Sequence, residues 1–426
     1  RRSRRWRMHF YIISGICRRK RGNIMVYYEI KKVFSKMTSK IALAIILVTV
    51  AVTCWFATAG VSYIDEKGEA KNGIAAIQKL RETRKAWAGP LTEEKIAAVI
   101  SEDAKINATA EAQSKDFREN DIAYGWKQGF SDIRQLIIKS YGDFNTYDSR
   151  IMEQLSPEDA GRFYENRLLS LEKWLEIEAK DMFTDREKQF LKDKYKAQQT
   201  PFTYDYMEGW VQILQYAPTV IMITLLVLGF LTANIFSAEF GTKADAIFFS
   251  SYHGRKKAVS AKIKAGFCII TGIYCTVMFI YTSVLLLILG TDGAGCPIQA
   301  SLGGWKSFYE LTNLELYMLV VAGGYIGCIF LLFLTMLVSA KLRSAVVAVM
   351  VPFAAIFLPS FFNTSKVLGL LPDQLLQMNM VAKYFHVYEI GGRVLSAAQI
   401  LPILYAALAA AIVPVLYGIY RRSQIR

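Results

Sequence analysis

Residues 213–236 read ILQYAPTVIMITLLVLGFLTANIF, a run without a single charged side chain. A helix rises about 1.5 Å per residue, so the run extends for about 36 Å, enough to cross a hydrocarbon layer of about 30 Å. Working outward, comparable runs lie at Ile41–Tyr63, Phe267–Leu289, Leu316–Val338, Ala345–Phe362 and Ile400–Tyr420. The run at Ala345–Phe362 is the weakest, because Pro352 and Pro359 interrupt it, although membrane bundles tolerate proline. Over all 426 residues, 53% are hydrophobic and the mean hydropathy is +0.25. The pattern excludes an ordinary cytosolic enzyme. It predicts an all-α polytopic membrane protein with six transmembrane helices.

Charge next to the runs sets their direction, since lysine and arginine are retained on the cytoplasmic side. Lys31, Lys32, Lys36 and Lys40 precede the first run, and Arg255, Lys256, Lys257, Lys262 and Lys264 link the second to the third. Lys341 and Arg343 lie between the fourth and fifth, and Arg421, Arg422 and Arg426 close the chain. Lys306 stands alone between the third and fourth, while Lys366, Lys383 and Arg393 follow the fifth. Both termini are therefore expected in the cytoplasm.

Between the first two runs lies a polar insert, residues 64–210. It holds 23 Lys+Arg against 28 Asp+Glu, a net of −5, so the remainder of a chain of net charge +15 carries +20. That excess is membrane-topology charge, contacting lipid, and not a nucleic-acid surface. The insert reads as an extracellular helical domain. Thr92 before Glu93 and Glu94, Ser156-Pro157-Glu158 after Leu155, and Thr184 with Glu187 are helix-start patterns. Leu168, Leu171, Trp174, Leu175 and Glu178 follow a helical period, expected to be the insert's own core. The insert has no cysteine, which fits a bacterial cytoplasmic membrane and its envelope better than a eukaryotic secretory route. Asn107-Ala108-Thr109 and Asn363-Thr364-Ser365 match the sequon pattern but carry no weight. The expected organisation is a basic extension (1–24), a lead-in and first helix (25–63), the insert (64–210) and a five-helix membrane domain (211–426). The extension, with Arg1, Arg2, Arg4, Arg5 and Arg7 before a short apolar stretch, is a poor signal peptide. It reads as upstream sequence ahead of a start at Met25, with a basic lipid-binding arm as the alternative.

The apolar runs hold no Asp, Glu, Lys, Arg or His. Ion-driven carriers commonly keep such a group near the midplane, and intramembrane proteases need paired carboxylates or an HExxH helix. There is no phosphate-cradling GxxxxGK[ST] loop, only three histidines, and six cysteines without CxxC spacing. No catalytic, cofactor or metal residues are assigned, and any work must draw its energy from another polypeptide. Gly323 and Gly327 have the spacing that lets helices approach closely, for packing within the bundle or for a dimer seam.

Beyond Phe236 the chain reads SAEFGTKADAIFFSSYHGRKKAVSAK up to Lys262. Ala246–Phe249 is a short apolar patch flanked by charge and broken at Gly254. It reads either as an amphipathic helix lying along the membrane or as a basic loop with its aromatic residues in the interface. The run resembles the cytoplasmic loop of type-2 ATP-binding-cassette exporter permeases. In that family a glutamate closes the second span, and a Gly or Gly-Thr, an apolar patch, a Ser/Thr pair, a Gly-Arg and a lysine follow. Glu239, Gly241, Thr242, Ser250, Ser251, Gly254, Arg255 and Lys262 occupy those places, and Asp245 looks like the acidic residue of the Gram-positive branch. The likeness covers residues 25–426 in layout but only about 236–264 in motif.

The resemblance implies a permease subunit, not itself an enzyme, driven by ATP and magnesium on a separate ATPase subunit. It also implies a second permease copy or paralogue. The coupling loop would be 239–264, with the Ala246–Phe249 patch, including Phe248 and Phe249, docking in a cleft of the ATPase, Glu239, Asp245 and Arg255 making charged contacts around it, and Lys256 a further coupling residue. A different class remains open: a membrane-anchored receptor or secretion-machinery component acting through its large outer domain. An ion-coupled carrier is disfavoured by the uncharged runs.

Overall fold

The computed structural model describes residues 24–250, 254–362 and 366–422, with the side chains of 249, 254 and 255 excluded. The basic arm up to residue 23, Ser251, His253, Asn363-Thr364-Ser365 and Arg426 lie outside the described residues.

A short helix, α1 (24–34), precedes the first long apolar helix, α2 (Met37–Ala59). The insert opens with an antiparallel pair, β1 (Ser62–Ile64) and β2 (Ala70–Asn72), followed by α3 (Ile74–Lys85), β3 (Gly89–Pro90), α4 (Glu93–Asn107), α5 (Ala110–Gln113) and α6 (Phe117–Lys127). It continues through α7 (Ser131–Tyr141), α8 (Ile151–Gln154), α9 (Phe163–Glu176), α10 (Asp185–Ala197) and β4 (Thr203–Tyr204), which pairs with β3. Then come α11 (Glu208–Gly241), α12 (Asp245–Ser250), α13 (Val259–Leu289), α14 (Asn313–Leu342), α15 (Ala345–Phe357), α16 (Asp373–Leu376), α17 (Met378–Val381), the hairpin β5 (Val387–Ile390) with β6 (Arg393–Ser396), and α18 (Ala397–Arg421).

Five helices, α2, α11, α13, α14 and α18, are long and apolar enough to cross a membrane, and they mark a multi-pass membrane protein. Five of the six expected runs form helices of this length. The run at Ala345–Phe362 forms only the 13-residue α15, carried on by a 3-10 turn over Leu358–Phe361. The α-helix passes through Pro352 and gives way to the 3-10 turn at Leu358, beside Pro359, whose missing amide hydrogen weakens the ladder there. The short segment nonetheless changes ends of the bundle. Arg343 at its start lies over the Phe240 ring at 4.6 Å, near the end of α11 remote from the insert. Lys366 at its far side pairs with the insert's Glu187 at 2.5 Å.

The centre of the bundle is α11, which packs on α2, α13, α14 and α15. Its contacts combine shape with hydrogen bonds. Tyr281 donates to the Ile213 carbonyl at 2.8 Å, and Tyr274 ties α13 to α14 by donating to the Val321 carbonyl at 2.8 Å. A Cβ at Gly229 would stand 2.7 Å from Pro352 Cγ, so α15 seats its proline on that glycine.

Gly323 and Gly327 open a groove on α14 within the chain. They receive the segment 368–381, which folds back into the bundle: a Cβ at Gly323 would meet Met378 Cγ at 2.5 Å and the Leu375 carbonyl at 3.2 Å, and one at Gly327 would meet Leu376 at 3.0 Å. Gly323→Val is expected to expel this segment and lower stability by about 2–3 kcal/mol through overpacking, read from unfolding in detergent. An unchanged midpoint would show that the groove is not needed.

The insert forms its helices where the capping patterns predict. Thr92 accepts from Lys95 N, Thr184 and Glu187 form a reciprocal capping box, and Ser156 opens a 3-10 turn that leads into α9. Leu171 and Leu175 are fully buried in its core. That core is not confined to 64–210, however. Cys296, Ala300 and Trp305 join one cluster of buried residues, and Phe308 and Val387 join the other. The polar domain is therefore composite, built from the insert together with the loop after α13 and the β5–β6 hairpin.

Candidate functional site: a buried ionic hub and an exposed short helix

At the end of the bundle remote from the insert, five elements converge on one buried ion-pair cluster. Lys262, in the first turns of α13, is fully buried, and its Nζ donates to the Ile235 carbonyl at 2.6 Å, to Glu239 Oε1 at 2.8 Å and to Glu29 Oε2 at 3.1 Å. Three acceptors saturate the three hydrogens of an ammonium group. Glu239, 5% exposed in the last turn of α11, also accepts from Lys32 Nζ at 2.7 Å and from the Tyr420 hydroxyl at 3.3 Å. Charges withdrawn from water are tolerated when paired and hydrogen-bonded in this way.

An aromatic layer covers the cluster. The Tyr420 ring lies 4.8 Å from Phe236, 6.0 Å from Phe248 and 6.1 Å from Phe240, and Lys262 Nζ lies 5.5 Å from the Phe248 ring. Phe248 belongs to α12. Through it, the short helix is attached to the same residues that join α1, α11, α13 and α18.

The residues singled out in the sequence therefore divide into two groups. Glu239 and Lys262 pair with each other inside the chain and are not available at the surface, and Phe248 is half-buried against them. Ala246, Ile247 and Ser250 face outward, with Ile247 77% exposed. Asp245 is half-buried at the start of α12, and Gly241 and Thr242 end α11 in the open, where Thr242 donates back to the Ala238 carbonyl at 2.9 Å. Lys256 is exposed in the turn entering α13. The side chains of Phe249, Gly254 and Arg255 lie outside the described residues. Sequence reasoning missed Glu29, Lys32 as a pairing partner, and Tyr420. The one available signal was Glu29, an acidic residue within the basic approach to the first apolar helix, on the repeating apolar pattern of Val26, Ile30 and Val33.

The opposite end holds a second polar centre where the insert meets the bundle. Arg84 Nη1 reaches Glu208 Oε2 at 2.8 Å and Asp132 Oδ2 at 3.1 Å, and Lys85 Nζ reaches Asp292 at 2.6 Å. A cavity of about 220 Å³ lies beside it, with Asp132, Glu208, Asn313 and Lys383 in its wall. Among the described residues no group of three or more His, Cys, Asp or Glu is placed to hold a metal ion. No family model, curated protein or solved structure matches this chain.

Proposed function

We propose that this chain is the permease subunit of an ABC exporter, driven by ATP hydrolysis in a separate ATPase subunit. The observation that carries the reading is the attachment of α12. Its outward face offers the apolar Ile247 to a partner, while its inward Phe248 is fixed to Tyr420 and Lys262. A partner that pushed on α12 would thus load α1, α11, α13 and α18 together through the Lys262–Glu239 pair. Two ATPases closing on ATP and magnesium are such a partner, and two permease copies or paralogues would enclose the pathway. In this reading the hub faces the cytoplasm of a bacterial cell, the composite domain faces outward, and the bundle crosses the membrane six times with α15 as the short fifth crossing. Glu239 and Lys262 act as a rigid link behind α12, and Asp245 and Lys256 flank its contact surface, with Arg255 next to Lys256 in the sequence.

A receptor-like reading would leave α12 against lipid only. The two separate in one experiment: a photo-crosslinker at Ile247, in cells of the native host, is expected to capture an ATPase subunit, and capture of phospholipid alone would end the proposal. Phe249→Asp and Arg255→Glu are each expected to reduce ATPase co-purification at least about tenfold, a loss of about 1.4 kcal/mol, and to stop export without preventing membrane insertion. Normal co-purification with normal expression would count against the coupling role of this loop.

A further inference from the structure

We propose that the Asp373 carboxyl is a proton-binding site of the bundle, held as the neutral acid while the segment 368–381 is seated against α14. The inference is independent of the ATPase-driven reading.

Asp373 opens α16 and is 4% exposed. Its Oδ2 accepts from Gln374 Nε2 at 2.8 Å, while its Oδ1 is buried without a hydrogen-bond partner. The site lies deep. Gly323 and Gly327, which contact Leu375, Leu376 and Met378, stand ten and fourteen residues into α14, about 15 and 21 Å along it. The segment is enclosed by α11, α14 and α18. No cation faces it from these elements. The stretches 213–236, 316–338 and 400–420 contain no charged residue, and their titratable groups are tyrosines and one cysteine, Cys328. Of these, Tyr405 is tied to the segment, donating to the Leu370 carbonyl at 2.9 Å. From the hairpin side His386 packs against Gly369, and burial lowers its pKa, favouring the neutral ring. Among the described residues Asp373 makes no ion pair.

An isolated carboxylate in such surroundings neutralises instead of remaining charged. Burial accordingly pushes the Asp373 pKa above the ordinary 3.8, against the opposing pull of hydrogen bonds from the Gln374 side chain and from the backbone N–H groups of Asp373 and Gln374. The sign of the linkage follows. Below the ordinary value the folded and unfolded chains are both protonated and the group contributes no slope. As pH rises from there, the unfolded chain releases the proton first, so stability falls until the folded-state pKa is passed. Ionisation therefore favours release of the segment from the Gly323–Gly327 groove.

The test follows thermal unfolding of the full chain in detergent from about pH 4, near the ordinary carboxyl value, to about pH 8, for wild type and Asp373→Asn, which keeps an acceptor for Gln374. The wild-type midpoint is expected to fall with rising pH relative to the variant, leaving the variant at least about 3 °C more stable at the upper end and the two close at the lower end. Parallel curves would overturn the proposal. A second measurement uses wild type alone: dicyclohexylcarbodiimide, a lipophilic reagent for protonated carboxyls, is expected to label Asp373 less as pH rises. No labelled Asp373 peptide anywhere in that range would overturn it as well. So would stabilisation by sodium over choline that disappears in Asp373→Asn, since the occupant would then be a metal cation.

Discussion

Lys262→Met is expected to destabilise the bundle by about 3–5 kcal/mol, the cost of breaking a buried ion pair from one side. The substitution removes the cation but keeps the volume. Glu239 is left 5% exposed with Lys32, whose side chain is 46% exposed, as its one cationic partner among the described residues, and the Ile235 carbonyl loses a donor. The aromatic layer of Phe236, Phe248 and Tyr420 covers one side of the site, and the Lys32 side stays open to water. Unfolding in detergent should show the loss directly. The double variant Lys262→Met/Glu239→Gln is expected to recover much of it, since both members of the pair are then neutral. A single variant within about 1 kcal/mol of wild type, or a double variant worse than the sum of the singles, would show that the pair does not join these helices. The same experiment bears on function. If α12 acts through this link, Lys262→Met should uncouple any bound ATPase from the bundle even where the chain still folds.

Arg167→Met is expected to unseat the insert from the loop after α13, at a cost of about 3–5 kcal/mol to the composite domain. Arg167 lies on α9, 5% exposed, and is held without a carboxylate. Its Nε and Nη2 donate to the Trp305 carbonyl at 3.1 and 2.8 Å, Nη2 also to the Ser307 carbonyl at 3.2 Å, and Nη1 to Gln198 Oε1 at 2.7 Å. The guanidinium lies 4.1 Å from the Tyr195 ring centre and 5.0 Å from that of Trp305. Burial lowers its pKa, a measure of how much hydration it has lost, and the carbonyls and rings replace that hydration. Methionine fills the space but leaves the Trp305 carbonyl without its donors. Limited proteolysis should then cut within the loop around residues 301–307 at least about tenfold faster than in wild type, while the five long helices stay intact. Unchanged cleavage would mean that the aromatic packing of Phe163, Phe202 and Trp305 holds the loop without the arginine.

The two sites differ in how much of each could be read in advance. Glu239 and Lys262 stand out in the sequence because they close one apolar run and open the next, but a sequence alone places them equally well at the surface or against each other. Their pairing depends on the turn through α12 bringing the ends of α11 and α13 together. Arg167 and Trp305 offer no local signal, since they are 138 positions apart and each looks ordinary in its own segment. The loop after α13 joins the insert's core in the same way, through packing that leaves no periodic trace in the sequence. Asp373 also looks like a loop residue, and only the groove made by Gly323 and Gly327 draws it into the bundle.

What the sequence determined by itself is what depends on neighbours along the chain. Uncharged length set the five long helices, and Thr or Ser followed by an acidic residue started helices in the insert. The tertiary structure decided which charges are buried, which face of α12 remains outside, and which loops belong to the insert. Those outcomes depend on contacts between residues far apart in the chain, where the energy lies in excluding water from a pair and not in either residue alone.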